Sequence, residues 1–537
     1  MLIGVDVGTG SARAGVFDDT GRLLGVGKHP VTMWQEPGEI VEQSSDQIWD
    51  AVSRAVRGAL AAADVAPQAI RGIGFDATCS LVVVGKDGEG VPVGPSGDPQ
   101  RNVIVWMDHR AHAEASEINA GGHAVLDYVG GRISPEMETP KLLWLARHMP
   151  QSFAKAAHFL DLSDYLTWRA TGQLARSSCT VTCKWTYLAH EGRWDARYFH
   201  AIGLGALADE GFARIGTEVV PPGTALGGLT AKAAADLGLH QGVTVAAALI
   251  DAHAGGLGTL GARLPGVTED PTRRLAYIFG TSACTMASTR AATPVPGVWG
   301  PYFGAMLPDL WLNEGGQSAA GAALDHLVHL HRDAEAISRE AEANGVSLIS
   351  YVARHAATLG PTLSDTIRAA AEIVVVPEFL GNRSPFAEPD ARAVIAGLGL
   401  DRGMGSLAAL YLAGLSGIGY GLRQLLDRFN GQGIRIEAII ASGGAAQSDL
   451  ACQMLADSTG VPVALPTAPE PILLGSAMLA AIASGLHPDA ATAMSAMTGD
   501  AQLFVPADGE LARLHAARFE AFAALQGAAR DLRAALR

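Results

Sequence analysis

Leu2-Ile3-Gly4-Val5-Asp6-Val7-Gly8-Thr9-Gly10-Ser11-Ala12-Arg13-Ala14-Gly15-Val16-Phe17 opens the chain and decides the fold. Leu2 to Val7 is a short apolar run that predicts a β-strand, Gly8 to Ser11 supplies a turn, and Ala12 to Phe17 predicts the returning strand of a hairpin. A second turn at Asp18-Asp19-Thr20-Gly21 leads to a third strand, Arg22 to Gly27. Glycine at a hairpin tip lets backbone N–H groups converge on an anion, and Thr9 and Ser11 add hydroxyl donors. Asp6 is awkwardly placed for direct contact with a phosphate, but makes sense if a hydrated Mg²⁺ lies between them. An ordinary tight hairpin explains the same residues equally well, so a second occurrence carries weight.

That occurrence lies about 270 residues further on. Arg274 to Phe279 reads as a strand, Gly280-Thr281-Ser282 as the turn and Ala283 to Thr289 as the return. Two such hairpins suggest a duplication, one per domain, with the two loops clamping one polyphosphate. The stretch from Arg263 to Arg273 is rich in Pro, Gly and Thr, as a linker would be, and divides the chain into domains 1–262 and 263–537. Helix is expected over Ser45 to Ala63, where Ile48, Val52, Val56 and Leu60 share a face, followed by a strand from Ile70 to Phe75. The second half alternates helices (Ser318 to Arg332, Leu407 to Phe429, Leu450 to Thr459) with strands (Ile373 to Val376, Ile436 to Ala441, Pro462 to Ala464). Alternation of this kind predicts an α/β fold. An amphipathic helix is expected over the tail, Glu510 to Leu536.

Composition narrows the function. The chain has 537 residues, 48% of them hydrophobic and 17% charged, enough for large cores and unlike a disordered chain. A net charge of −15 disfavours phosphate-backbone binding, so nucleic acid is not an expected partner. Five cysteines are too few and too scattered for a disulfide framework, and Cys179 and Cys183 lack the partners of a zinc site. The uncharged stretch from Gly403 to Tyr420 reads as a buried helix, and Asp6 interrupts any leader-like run, so a soluble cytoplasmic protein without membrane contact is expected.

Other residues could carry chemistry. There is no Walker P-loop, and the Gly-x-Gly-x-x-Gly at Gly256, Gly258 and Gly261 has no strand directly before it, which favours helix packing. Ala441-Ser442-Gly443-Gly444-Ala445 sits at a strand-to-helix turn where a flat ring or a phosphate can approach the backbone, though a routine turn reads the same way. Asp251 follows the apolar strand Val243 to Ile250 and opens Asp-Ala-His-Ala-Gly-Gly; it suits a proton acceptor or a plain helix N-cap. His253 reads as its structural neighbour. Asp76 and Asp108 also follow strands, and three such acids would suit a polyhydroxylated ligand. Lys184 and Arg110, as single cations, read by themselves as solvated surface charges.

Together these segments resemble the FGGY carbohydrate kinases, whose fold is a pair of actin-like, ribonuclease-H-like ATPase domains around a cleft. The resemblance rests on Gly4 to Arg13, Val105-Trp106-Met107-Asp108-His109-Arg110-Ala111, Thr139-Pro140-Lys141-Leu142-Leu143-Trp144-Leu145, Leu249 to Gly255, Gly280-Thr281-Ser282, Glu314-Gly315-Gly316-Gln317, Gly443-Gly444-Ala445 and Glu470-Pro471-Ile472-Leu473-Leu474-Gly475-Ser476-Ala477. Asp76-Ala77-Thr78-Cys79-Ser80-Leu81-Val82 and Gly381-Asn382-Arg383-Ser384-Pro385 look like the D-ribulose kinase branch, whereas Glu378-Phe379-Leu380 departs from that branch's usual Asp-Phe-His.

What the resemblance implies is ATP-dependent phosphorylation of a terminal pentulose hydroxyl, D-ribulose first, with ribitol, L-ribulose and D-xylulose behind. It makes Asp251 the catalytic base and places Mg²⁺ near Asp6 and Asp251. Nucleotide contacts fall at Thr9, Gly10, Ser11, Arg13, Gly280, Thr281, Gly321, Gly443, Gly444 and Ser448. Sugar contacts fall at Asp76, Thr78, Cys79, Asp108, Arg110, Lys184, Asp251 and Glu314. Many relatives are dimers, so a homodimer is expected. An actin-like nucleotide switch would share the hairpins but has no need of sugar-facing acids and a base.

Overall fold

The computed structural model describes residues 1–536 and builds two seven-stranded sheets, each containing one of the hairpins. In the first, β1 (Leu2–Val7) pairs antiparallel with β2 (Ser11–Phe17), and β2 with β3 (Leu23–Pro30). Helix α1 (Ser45–Ala63) buries Ile48, Val52, Val56 and Leu60 against β2 and β3, and the Ser44 hydroxyl caps its first turn. On the other side of β1 runs β4 (Gly72–Ala77), parallel and in a register that sets Gly4 opposite Gly74 and Asp6 opposite Asp76. Strands β5 (Ala225–Gly228) and β6 (Thr244–Ala246) extend the sheet, and β7 (Leu249–Ile250) pairs with the end of β4. The sequence read Val243 to Ile250 as one strand. The structure divides it because Ala247 turns its N–H to Thr224 O and its carbonyl to Gly223 N, away from β4.

Helix α2 (Asp251–Leu260) leaves β7 directly. The second sheet then repeats the plan of the first: β8 (Arg274–Phe279) is antiparallel to β9 (Ala283–Thr289), which pairs with β11 (Trp311–Gln317) and through it β10 (Trp299–Phe303). Helix α3 (Gly403–Gly431) separates these from β12 (Ala438–Ser442), which runs parallel to β8, and β13 (Val463–Pro466) follows. After helix α4 (Pro471–Ala483), β14 (Ala501–Phe504) closes the edge, and helix α5 (Gly509–Ala535) ends the described chain. Helix α3 is long and apolar enough to cross a membrane, yet 78% of its most apolar window is buried in the second half's core.

Two helices are exchanged across the middle. Helix α4 belongs to the second half by sequence but lies on β1 and β4 of the first sheet, while α2 packs against α4 and β8. Their approach is backbone to backbone. A Cβ at Gly4 would stand 1.9 Å from Leu473 O, one at Gly74 2.0 Å from Ser476 O, and one at Gly258 2.0 Å from Pro471 O. Only glycine allows these contacts. Gly256, Gly258 and Gly261 therefore serve packing, as the missing strand before them predicts. A smaller five-stranded sheet (Trp34–Glu36, Ile40–Gln43, Val103–Ile104, Leu81–Val84, His158–Asp161) stands beside the first.

Candidate active site

Strands β1, β4 and β7 end side by side, and each delivers an acid: Asp6, Asp76 and Asp251. Acids at the carboxyl ends of parallel strands lie where open α/β sheets hold their ligands. Asp6 and Asp76 are buried, and Ser476 of α4 donates to Asp76 Oδ2 at 2.5 Å while Oδ1 has no protein partner. Burial, then the charge of Asp6, pushes the Asp251 carboxyl up to about 6 and Asp76 well above the ordinary carboxylate range. Asp251 opens α2 with Oδ1 accepting from Ala252 N–H at 2.7 Å. Three crowded carboxylates and a buried oxygen without a donor fit a hydrated divalent cation. Among the described residues no three His, Cys, Asp or Glu side chains sit close enough to ligate a metal directly, so contact through water is the arrangement they allow. Asp76, expected at the sugar, belongs to this acidic cluster beneath α4.

The hairpin tips are open. Beyond the adjoining residues, a Cβ built at Gly10 meets nothing within 4 Å and one at Gly280 meets Ser282 O at 3.6 Å, and the strand-to-helix turn at Gly444 is equally open. Thr9 is fixed by two neighbours: Gln43 donates to its carbonyl at 2.7 Å and the Trp106 indole to its Oγ1 at 2.9 Å. The second tip leans on helix Gly321–His329, whose first amides donate to it: Gly321 N–H to Gly280 O at 2.9 Å, Ala320 and Ala322 N–H to Thr281 O at 2.9 and 3.1 Å. Gly321, expected at the nucleotide, thus spends its amide on shaping the loop. Gly443 has φ 92° and sits against Phe279 O, so the Gly443-Gly444 turn is set by glycine. Ser448 caps helix Asp449–Thr459 through Ala451 N–H, and Ser11 lies half-buried at the start of β2. Arg13 differs from expectation: its Nε donates to Asp6 at 2.8 Å and its NH1 to Glu470 Oε2 at 2.9 Å, so it joins the halves through carboxylates.

Lys184 ends helix Ser178–Lys184 on the first half, and Glu314 lies on β11 of the second. Burial would raise the Glu314 carboxyl, but the hydrogen bond from His253 and the charges of Lys184 and Arg383 bring it down to about 2. Burial likewise opposes the charge of Lys184, and Cys79 and Glu314 outweigh it, so its pKa rises. Lys184 also acts on Asp251, so its charge reaches the carboxylates of both Asp251 and Glu314. Cys79 and Thr78 line the same region; Thr78 Oγ1 is 3.2 Å from Ser80 Oγ, and burial pushes the Cys79 thiol up to about 12.

Asp108 and Arg110 lie elsewhere than the sequence suggests. Arg110 Nε donates to both Asp108 oxygens at 2.9 Å, its NH1 to Val93 O and its NH2 to Glu42, while Val41 N–H donates to Asp108 Oδ2 at 2.6 Å. With side chains 0% and 1% exposed, both are spent on each other and on Glu42 in the interior, where an ion pair must be matched in full to survive desolvation. The sequence reading also passed over Trp106, Gln43, Ser476, Glu470, Cys179, Arg383 and the buried pair Glu138–Lys141 at 3.5 Å. Trp106, Lys141, Arg383, Glu470 and Ser476 lie inside the segments that carry the resemblance, and Cys179, Cys183 and Lys184 fall within one stretch of helix.

Known proteins share this plan. Residues 1–258 match the N-terminal domain of the FGGY family of carbohydrate kinases, and residues 275–484 its C-terminal domain. The chain belongs to the FGGY family of carbohydrate kinases. It is 45% identical over 489 residues to an FGGY carbohydrate kinase domain-containing protein of Danio rerio, covering 90% of this chain and 89% of that one. It is 38% identical over 513 residues to a D-ribulokinase of Saccharomyces cerevisiae, covering 90% and 72%. The crystal structure of a xylulose kinase from Brucella ovis superposes with a TM-score of 0.80 at 24% identity, over 99% of both chains. The fold of this FGGY kinase is therefore the two-domain actin-like ATPase fold, and its chemistry is phosphoryl transfer to a carbohydrate.

Proposed function

We propose that this carbohydrate kinase transfers the γ-phosphoryl group of ATP to the terminal hydroxyl of a pentulose, D-ribulose first, giving D-ribulose 5-phosphate and ADP. The observation that carries the reading is the placement of Asp251 at the end of β7, where the charge of Lys184 acts on it and His253, two residues on, lies 3.3 Å from Glu314 of the other half. The likeness to a D-ribulokinase supports the sugar.

In this reading Lys184, Glu314, Thr78 and Cys79 hold the pentulose. Asp251 orients the terminal hydroxyl and accepts its proton as that oxygen bonds to the γ-phosphorus and the bond to the bridging oxygen of ADP breaks. Thr9, Gly10, Ser11, Gly280 and Thr281 line the polyphosphate from two sides, and Gly443, Gly444 and Ser448 border the adenosine. Asp6 and Asp251, with Asp76 behind them, would hold Mg²⁺ through water, where the ion offsets charge on the transferring group. Arg13 balances Asp6 within the protein.

ADP release with Mg-ATP is to be measured across D-ribulose, L-ribulose, D-xylulose, ribitol, xylitol and glycerol. Strongest turnover with D-ribulose supports the reading. A preference for another of these sugars moves the substrate, and turnover indifferent to all of them overturns the kinase in favour of a nucleotide switch.

A further inference from the structure

Cys179 is completely buried in the first turn of helix Ser178–Lys184, on the same short helix as Lys184. Its sulfur lies 3.0 Å from His253 Nδ1 and 3.4 Å from the backbone nitrogen of Ile250, which donates to it. One atom therefore touches the residue before Asp251 and the residue two after it. The other ring nitrogen of His253 is 3.3 Å from Glu314 Oε2, across the boundary between the halves. His253 is fully buried, and none of the phosphoryl-transfer steps uses it or Cys179.

The local backbone explains why such a contact is needed. A helix N-terminus carries four unpaired N–H groups, and a Ser, Thr, Asn or Asp cap normally fixes the first turn. The cap position before Asp251 is Ile250, which offers no side-chain acceptor, and β7 is only two residues long. Asp251 itself spends Oδ1 on Ala252 N–H. The turn that aims its carboxylate would be loosely held without a partner from outside α2, and the Cys179 sulfur is that partner.

We propose that Cys179 and His253 are positioning residues for the reaction. Cys179 locks the Ile250–Asp251 turn through its contacts with Ile250 N–H and His253 Nδ1, and the opposite edge of the ring holds Glu314 toward the sugar, so one imidazole serves the base and a sugar-binding carboxylate through two separate contacts. The proposal rests on the kinase reading for its kinetic consequences, although the contact itself does not. Misplacing a reacting group by about 1 Å costs up to ~100-fold, so neither residue needs to touch the substrate.

The test separates the two ends of the imidazole. In H253Q the amide reaches the position of Nε2 and keeps Glu314 but loses Cys179; in H253N the amide stays near Nδ1 and keeps Cys179 but loses Glu314. H253Q and C179A are expected to lower kcat by about 10-fold with the sugar KM changed by less than about twofold. H253N is expected to raise the sugar KM by about 10-fold with kcat retained, and C179S, whose hydroxyl also accepts from Ile250, to recover most of the loss. The KM for ATP should stay constant throughout. Identical changes in both His variants, or an ATP KM that moves with the sugar KM, would show a generally loosened fold and overturn the proposal. Nitrogen NMR of the His253 ring reads the contact without turnover. C179A should shift Nδ1, and an unmoved resonance overturns the proposal even if no sugar is phosphorylated. Wild-type protein that turns over no sugar would instead overturn the kinase reading, with the NMR result still deciding the contact.

Discussion

Ser476 and Asp76 are 400 residues apart in sequence, and the hydroxyl of one donates to the carboxylate of the other at 2.5 Å. The bond ties α4 to the end of β4, at a member of the acidic cluster itself. Asp76 Oδ1 has no protein partner, so S476A would leave both oxygens of a buried carboxylate unmatched. A loss of about 1–3 kcal/mol is expected in urea unfolding. Unchanged stability would mean that water replaces the hydroxyl.

Asp251 should be indispensable for the chemical step. D251N is expected to lower kcat by about 10²–10⁴-fold while the sugar KM changes little. A variant that keeps most of its turnover would remove Asp251 from the role of base.

The same residue predicts a pH dependence. Its carboxyl is pushed up to about 6 by burial and by Asp6, and a base must be ionised to accept a proton. Sugar kcat/KM should therefore fall as pH drops below about 6 and level off above it. For stability the sign is reversed: a folded-state pKa above the unfolded value means that stability is lost as pH rises from the ordinary carboxylate range through about 6. Mg²⁺ should then raise the Tm of the protein more at pH 8 than at pH 5. Equal shifts at both would separate the ion from these carboxylates.

Glycines divide into two kinds that a methyl group can tell apart. At Gly10 a Cβ meets nothing within 4 Å, so G10A should leave Tm unchanged and raise the KM for ATP. At Gly258 the Cβ would stand 2.0 Å from Pro471 O, so G258A should cost about 1–3 kcal/mol or more through forced backbone shifts. If G10A lowers Tm and spares ATP, the open tip is not a phosphate loop.

Lys184 should report on the sugar alone. K184M removes the cation beside Glu314, and loss of a charge-assisted bond worth about 1.5–3 kcal/mol raises the sugar KM by about 10- to 150-fold. A change confined to the KM for ATP would move Lys184 to the nucleotide.

Local features were the legible ones. The strands Leu2–Val7, Arg274–Phe279 and Ala283–Thr289 have the bounds that the sequence predicts, because an apolar run against a glycine turn is a near-neighbour signal. Asp6, Asp251, Lys184 and Glu314 were legible as residues, and the structure brings them into one region. Asp108 and Arg110 were not readable as a spent pair, since Glu42, which completes their network, is 68 residues from Arg110. The resting place of α4 was equally hidden. A helix sandwiched between two layers is apolar all round, and periodicity then carries no direction.

The exchange of α2 and α4 has a consequence for anyone who would take the gene apart. A cut between Ala262 and Arg263 looks clean on paper, yet it strips the first fragment of the helix that roofs Gly4 and Gly74 and leaves the second with a bare face on β8. Neither product would be a small protein in its own right. Expressed together, the two fragments carry each other's missing piece, and the chain behaves like a handshake whose grip survives the loss of the arm that joins the two hands.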